Sequence, residues 1–174
     1  MHFRGTTEER EHIQSLIDVI NSVHPFKHND LTVRMTDEDP KIYSGCYVYS
    51  TIRPTILLSR QSENVALSFF HEVGHYIEER FSPLEKIGEQ YFSITNNDSF
   101  NRLIRLARYV YESKYYHYLL SPCEVWARAY AQYVVYRSNN SEWRQLINDD
   151  HLQWNENDFG GFSHIIERVC RRIS

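Results

Sequence analysis

The stretch FFHEVGHYIEE, residues 69–79, sets His71 and His75 four positions apart, with Glu72 directly after the first histidine. Read as a helix, this spacing stacks the two imidazoles one turn apart on one face, where they can chelate a single ion. Glu72 then lies about 100° round from His71, beside the ion rather than on it. From there it can take a proton from a metal-activated water, the chemistry of this motif in zinc proteases. Zinc suits imidazole, and three protein ligands with one open position mark a catalytic site. The competing reading is a core helix that spells the motif by chance. Its surroundings weigh against chance: residues 64–80 are apolar nearly all round, which predicts a buried central helix. Imidazoles left unpaired in such a helix are costly. Gly74, inside it, costs about 1 kcal/mol relative to Ala, which points to close approach by another element.

A third ligand decides between the two readings. The extended form HExxHxxGxxH is absent, because Glu78 and Phe81 stand where Gly and His would be needed. A downstream acid is therefore required, and Glu85, Glu89, Asp98, Glu112 and Glu124 are the candidates. The first three lie in or beside a polar loop, and Glu112 sits on a mixed, charged face. Glu124 stands apart, in the first turn of SPCEVWARAYAQYVV (residues 121–135) among Val125, Trp126, Ala127 and Ala129. Ala127 and Ala131 continue its face with small side chains, so a neighbouring helix can come close. A carboxylate in such a helix is rarely buried without a partner. Its alternative role is a first-turn acid favoured by the helix dipole. Cys123, next to it, has no helical partner ligand and is a weaker candidate.

Around these segments the chain alternates first as strands, then as helices. Residues 7–22 carry Ile13, Leu16, Ile17 and Ile20 at helical spacing, with Thr6 or Thr7 as the cap and Glu8 and Glu9 in the first turn. LTVRM (31–35), GCYVYS (45–50) and PTILLS (54–59) read as strands, with Pro54 at a strand start or sheet edge. Helices are predicted over 101–118, 122–137, 141–148 and 162–172, with DFGGFS separating the last two. The expected fold is α+β: a small, mostly antiparallel N-terminal sheet with an edge strand, then a helical half carrying the site. Residues 55–58 are expected to be that edge, holding a peptide extended as an added strand.

The 174 residues suit one domain, 1–174, and 41% apolar with 24% charged residues is a globular composition. A net charge of -4 gives no general reason to expect nucleic acid or an acidic membrane as partner. Cys46, Cys123 and Cys170 form no CxxC pair or disulfide framework, and residues 1–14 contain no apolar signal-peptide core. A cytoplasmic protein is the simplest expectation. Arg102, Arg105, Arg108 and Lys114 interleave with aromatics, but at a spacing that reads as one wet and one buried helix face. RVCRR (168–172) has the same plain reading, as cations at a helix end.

HEVGH together with SPCEVWARAYAQYV resembles the gluzincin-type zinc metallopeptidases, in which a downstream helix supplies the third ligand as Glu. The second segment is similar to the Glu-bearing helix of the anthrax lethal factor catalytic domain. It is closer still to metallopeptidase-like domains of polyvalent proteins from phages and mobile elements, where SPxExxARAxxxY recurs. The likeness covers residues 43–136, roughly half the chain, and lacks the signature that follows the third ligand in thermolysin-like enzymes. It implies a zincin-like fold, one zinc on His71, His75 and Glu124, Glu72 as the base, and a peptide or protein substrate. It also implies a tyrosine shortly before the third ligand that donates to the developing oxyanion. Tyr118 fits best, with Tyr116 and His117 as alternatives and aromatic packing as its plain role. A catalytically silent zincin fold, used as a metal-binding or protein-interaction module, is the other class of function; an intact Glu72 favours the peptidase.

Overall fold

The structure is a computed structural model that describes residues 1–26, 29–39, 44–81, 118–119, 121–149, 153–154 and 156–173. Strand β1 (His2–Arg4) leads into helix α1 (Thr7–Val23), and β2 (Thr32–Thr36), β3 (Gly45–Val48) and β4 (Thr55–Ser59) follow. Then come α2 (Val65–Phe81), α3 (Pro122–Ser138), α4 (Ser141–Asp149) and α5 (Glu156–Ile173). The expected helix over 101–118 lies outside the described residues but for its end, as do Glu85, Glu89, Asp98, Glu112, Tyr116 and His117.

Helix α1 starts where its sequence says it should. The Thr6 hydroxyl accepts from the Glu9 amide at 3.2 Å while the Glu9 carboxylate accepts from the Thr6 amide at 2.6 Å, a reciprocal capping box. Ile13, Leu16, Ile17 and Ile20 are buried as their spacing predicts. At its other end the buried His24 imidazole bridges to the Pro25 carbonyl (3.0 Å) and the Tyr130 hydroxyl (2.8 Å). The carbonyl can only accept, so Nδ1 carries the proton and Nε2 accepts from Tyr130.

The sheet is mixed, in the order β1-β2-β4-β3, and this corrects the antiparallel expectation. The α1 crossover makes β1 and β2 parallel, β2 and β4 are parallel too, and only the β3–β4 hairpin is antiparallel. The expected edge is corrected with it. Residues 55–58 lie inside the sheet, between β2 and β3, whereas β3 pairs with β4 alone among the described residues. Pro54 does precede the first residue of β4, and its carbonyl accepts from the Thr32 amide at 2.9 Å.

Helix α2 is packed against β3 and β4 on one side and α3 on the other, which is why it is apolar nearly all round. Its Phe69, Phe70, Val73 and Ile77 are fully buried. A Cβ placed on Gly74 would stand 2.8 Å from the Ala127 Cα and 3.2 Å from its carbonyl oxygen, so the two helices touch backbone to backbone there. The buried Trp126 indole donates to the Gly74 carbonyl at 2.9 Å and fixes the crossing. DFGGFS does not interrupt the C-terminal helix: α5 runs through both glycines. Phe159, Ile166, Val169 and Cys170 bury one stripe of it, enough to outweigh about 1 kcal/mol per glycine. No helix among the described residues is long and apolar enough to cross a membrane.

Gly74→Ala is expected to lower the unfolding free energy by about 1–3 kcal/mol, although alanine is the better helix former. Gly160→Ala, where a Cβ meets nothing within 4 Å, should instead stabilise by roughly 0.4–1 kcal/mol. Urea midpoints of the pair check both signs, and equal shifts would contradict the packing argument. Burial holds the His24 imidazole below its ordinary pKa of 6.5, so the unfolded chain takes up a proton that the folded chain resists. Stability should therefore decline as pH falls below about 6.5. The decline should be shallower in His24→Gln, read from thermal melts between mildly alkaline and mildly acid buffers.

Candidate metal centre

The backbone contact at Gly74 has a direct consequence one turn away. His71 and Gly74 are separated by three positions on α2, Glu124 and Ala127 by three on α3, so the crossing brings Glu124 onto the histidine face. The Glu124 carboxylate spans both rings, with Oε2 at 3.2 Å from His71 Nε2 and Oε1 at 3.3 Å from His75 Nε2. The rings are 4.9 Å apart and nearly perpendicular at 83°. One ligand atom from each of the three residues falls within 4.8 Å of the others. Two ligands about 2.0–2.1 Å from a tetrahedral ion stand roughly 3.3–3.4 Å apart, so both imidazole–carboxylate spacings fit a shared divalent cation. Two neutral nitrogens and one carboxylate are a donor set that such an ion prefers.

Hydrogen bonds tie the Glu124 carboxylate to the two imidazoles. Burial opposes the Glu124 charge, yet hydrogen bonds from His71, His75 and Tyr118 outweigh it and hold its carboxyl well below the usual range. Burial also opposes a charge on His75, and here the Glu124 and Glu78 carboxylates prevail, raising it to about 10. A cation entering the site must displace that proton.

Glu72 reaches the same cavity from its own side of α2. It is 6% exposed, and burial raises its carboxyl above the ordinary range against the pull of His71 and His75. Strand β3 lies directly over it: the Tyr47 backbone amide donates to the carboxylate. A Cβ on Gly45 would meet the Glu72 Cγ and Oε1 at 2.9 Å. A side chain there would enter the space that the Glu72 carboxylate occupies.

Tyr118 is held at the mouth. Its carbonyl accepts from the Ser121 amide at 2.9 Å, and the buried Arg128, one turn past Glu124, donates to the Leu119 carbonyl at 2.5 Å. The Tyr118 hydroxyl hydrogen-bonds Glu124, and burial together with that carboxylate raises its pKa. The side chain is 55% exposed and lines the cavities on both sides of the triad. One of these, about 320 Å³, extends past His71 between Leu67, Arg128 and Ile147. The other, about 290 Å³, extends past His75 toward Cys46 and Tyr47. Cys123 stands apart from the ligand group, 3.2 Å from the Ser121 hydroxyl.

Sequence reasoning missed two neighbours of the triad. Glu78 is 5% exposed, with Oε2 at 3.9 Å from His75 Nδ1, an ion-pair distance rather than a hydrogen bond. A carboxylate behind a ligating imidazole fixes its ring and tautomer. The three-residue step from His75 to Glu78 was the available signal, since it puts both on one helix face. Gly45 had none, because only the packing of β3 on α2 brings it to Glu72. No protein-family model, curated protein or solved structure matches the chain.

Chelator-treated protein is expected to take up one divalent ion per chain in a calorimetric titration with Zn2+ or Co2+, and Glu124→Ala to lose that uptake. Glu78→Gln should retain the stoichiometry but weaken affinity by about 10–100-fold. Undiminished binding in Glu124→Ala would remove the triad from consideration as the site.

Proposed function

We propose that the chain is a zinc-dependent peptidase of the gluzincin type, with zinc on His71, His75 and Glu124 and Glu72 as general base. The observation that supports this most is the meeting of Glu124, from α3, with both histidines of α2, between two cavities that Glu72 also lines. A structural metal site has no use for a buried fourth group of this kind beside three ligands. When bound, Zn2+ supplies positive charge that acidifies a water and polarises a carbonyl.

The remaining work falls to side chains of the chain itself. Glu72, with its carboxyl raised by burial, accepts the proton of the attacking water and returns it to the leaving nitrogen. Its raised pKa brings it closer to working pH, where a base can both take a proton and give it up. The Tyr118 hydroxyl, already directed at Glu124, is placed to donate to the oxyanion that grows on the carbonyl. The substrate backbone is read by β3, whose outer edge adjoins Glu72 and which pairs with β4 alone among the described residues. An extended peptide added there gains main-chain hydrogen bonds. The two cavities flanking the triad receive side chains on either side of the cut bond.

A mixture-based peptide library, incubated with zinc-loaded protein and read by mass spectrometry, is the test. Glu72→Gln should keep its zinc and lose cleavage by about a thousandfold or more, while Tyr118→Phe should lower kcat by roughly 10–1,000-fold with KM little changed. Cleavage that persists in Glu72→Gln would belong to a contaminant. A full zinc complement with no library member cut would leave the metal-binding or interaction module as the better reading.

A further inference from the structure

A third cavity, of about 540 Å³, wraps the β1 edge of the sheet and, among the described residues, shares no lining residue with the triad or its two flanking cavities. Four arginines converge on it: Arg4 from β1, Arg34 from β2, Arg53 from the turn before β4, and Arg10 from α1. Register puts Arg4 directly opposite Arg34 on neighbouring parallel strands, so both side chains leave the same sheet face. The Arg53 backbone amide donates to the Ser50 hydroxyl oxygen at 3.1 Å, which anchors the turn that presents it. Among the described residues no aspartate or glutamate lines the cavity, in a chain whose net charge is -4.

Elsewhere three of the described arginines meet acids. Arg60 meets Glu9 and Asp37, Arg80 meets Asp30, and Arg137 meets Glu167. Among the described residues none of the four cavity arginines has an ion pair. Like charges placed side by side on a sheet repel, and nothing in the architecture requires them there. Among the described residues nothing supplies the countercharge, which a bound anion would provide.

We propose that this cavity binds a small anion carrying two or more phosphate groups. Guanidinium forks match phosphate oxygens in pairs, and four of them exceed what a single phosphate can engage. The volume lies within the roughly 300–1,000 Å³ of small-molecule sites. Leu57, opposite Arg34 on the neighbouring strand, gives that face an apolar patch that suits the organic part of a phosphorylated metabolite. A nucleic-acid backbone carries the same groups, but the site is a concavity at a three-residue strand rather than a track, and the overall charge opposes a long polyanion.

The test titrates sodium tripolyphosphate, and separately ATP, into the full chain at about 0.15 M salt, where weak surface attraction is screened. One probe molecule is expected per chain, with affinity reduced about tenfold or more in Arg34→Glu and in Arg10→Glu. The second variant sits on exposed helix surface, so a folding defect in the strand variant would not mask the result; circular dichroism melts check both. Arg168→Glu, on α5 and outside the cavity, changes net charge equally and should leave affinity unchanged. No binding of either probe, equal weakening by Arg168→Glu, or much tighter binding of a single-stranded oligonucleotide would each overturn the proposal.

Discussion

The backbone contact between Gly74 and Ala127 is the constraint on which the rest of the structure turns. Two helices packed through ordinary side chains stand about 8–10 Å apart, and at that distance Glu124 would not span two imidazoles on the facing helix. Removing one Cβ and keeping the other to a methyl lets α3 settle onto α2. The Trp126 indole then stops the pair from sliding. Everything chemical follows from that approach: a carboxylate across His71 and His75, and a flank of α2 left free to face β3. The helix cost of glycine in an apolar core helix is thus offset by the geometry it allows.

Much of this was legible because helices write their neighbours into local sequence. The spacing of His71 and His75, the small residues after Glu124 and the glycine in α2 each carry information within one or two turns. The metal group came from joining two such local patterns. The sheet was less legible, since strand order depends on which distant segments pair. The residues of β2, β3 and β4 announce strands, but nothing local states that β3 goes to the rim and returns as β4 beside β2. Hence the edge was expected one strand too far along the chain. The three residues of β1 are too few to show an alternating pattern. The glycines of α5 mislead for the opposite reason, being a local signal overruled by the stripe that buries Phe159 and Ile166.

The charges of the molecule are separated as well as balanced. Three carboxylates, Glu72, Glu78 and Glu124, are buried beside two half-buried histidines near the α2–α3 crossing, where a divalent cation would offset their charge. At the β1 edge the imbalance has the reverse sign, with arginines and, among the described residues, no acid. Each region is short of a counterion of opposite kind, and each is built on different elements, so occupancy of one need not disturb the other. Between them, Arg60 with Glu9 and Asp37 ties α1 to the ends of β2 and β4 through ordinary surface pairs.

The indole bond to Gly74 also bears on how the molecule moves. In a helix the Gly74 carbonyl is the acceptor for the Glu78 amide, so this one oxygen serves both α2 and Trp126. Twisting α2 would strain its own ladder and its tie to α3 together, which makes the pair a stiff unit on the timescale of local opening. Strand β3 has a softer hold, paired with one neighbour among the described residues and laid over Glu72 through a glycine. Opening of the cleft therefore falls to β3, above an unyielding helical floor, while β4, paired on both sides, stays with the sheet. Amide exchange would register this as faster exchange along β3 than in a jointly protected block of α2 and α3.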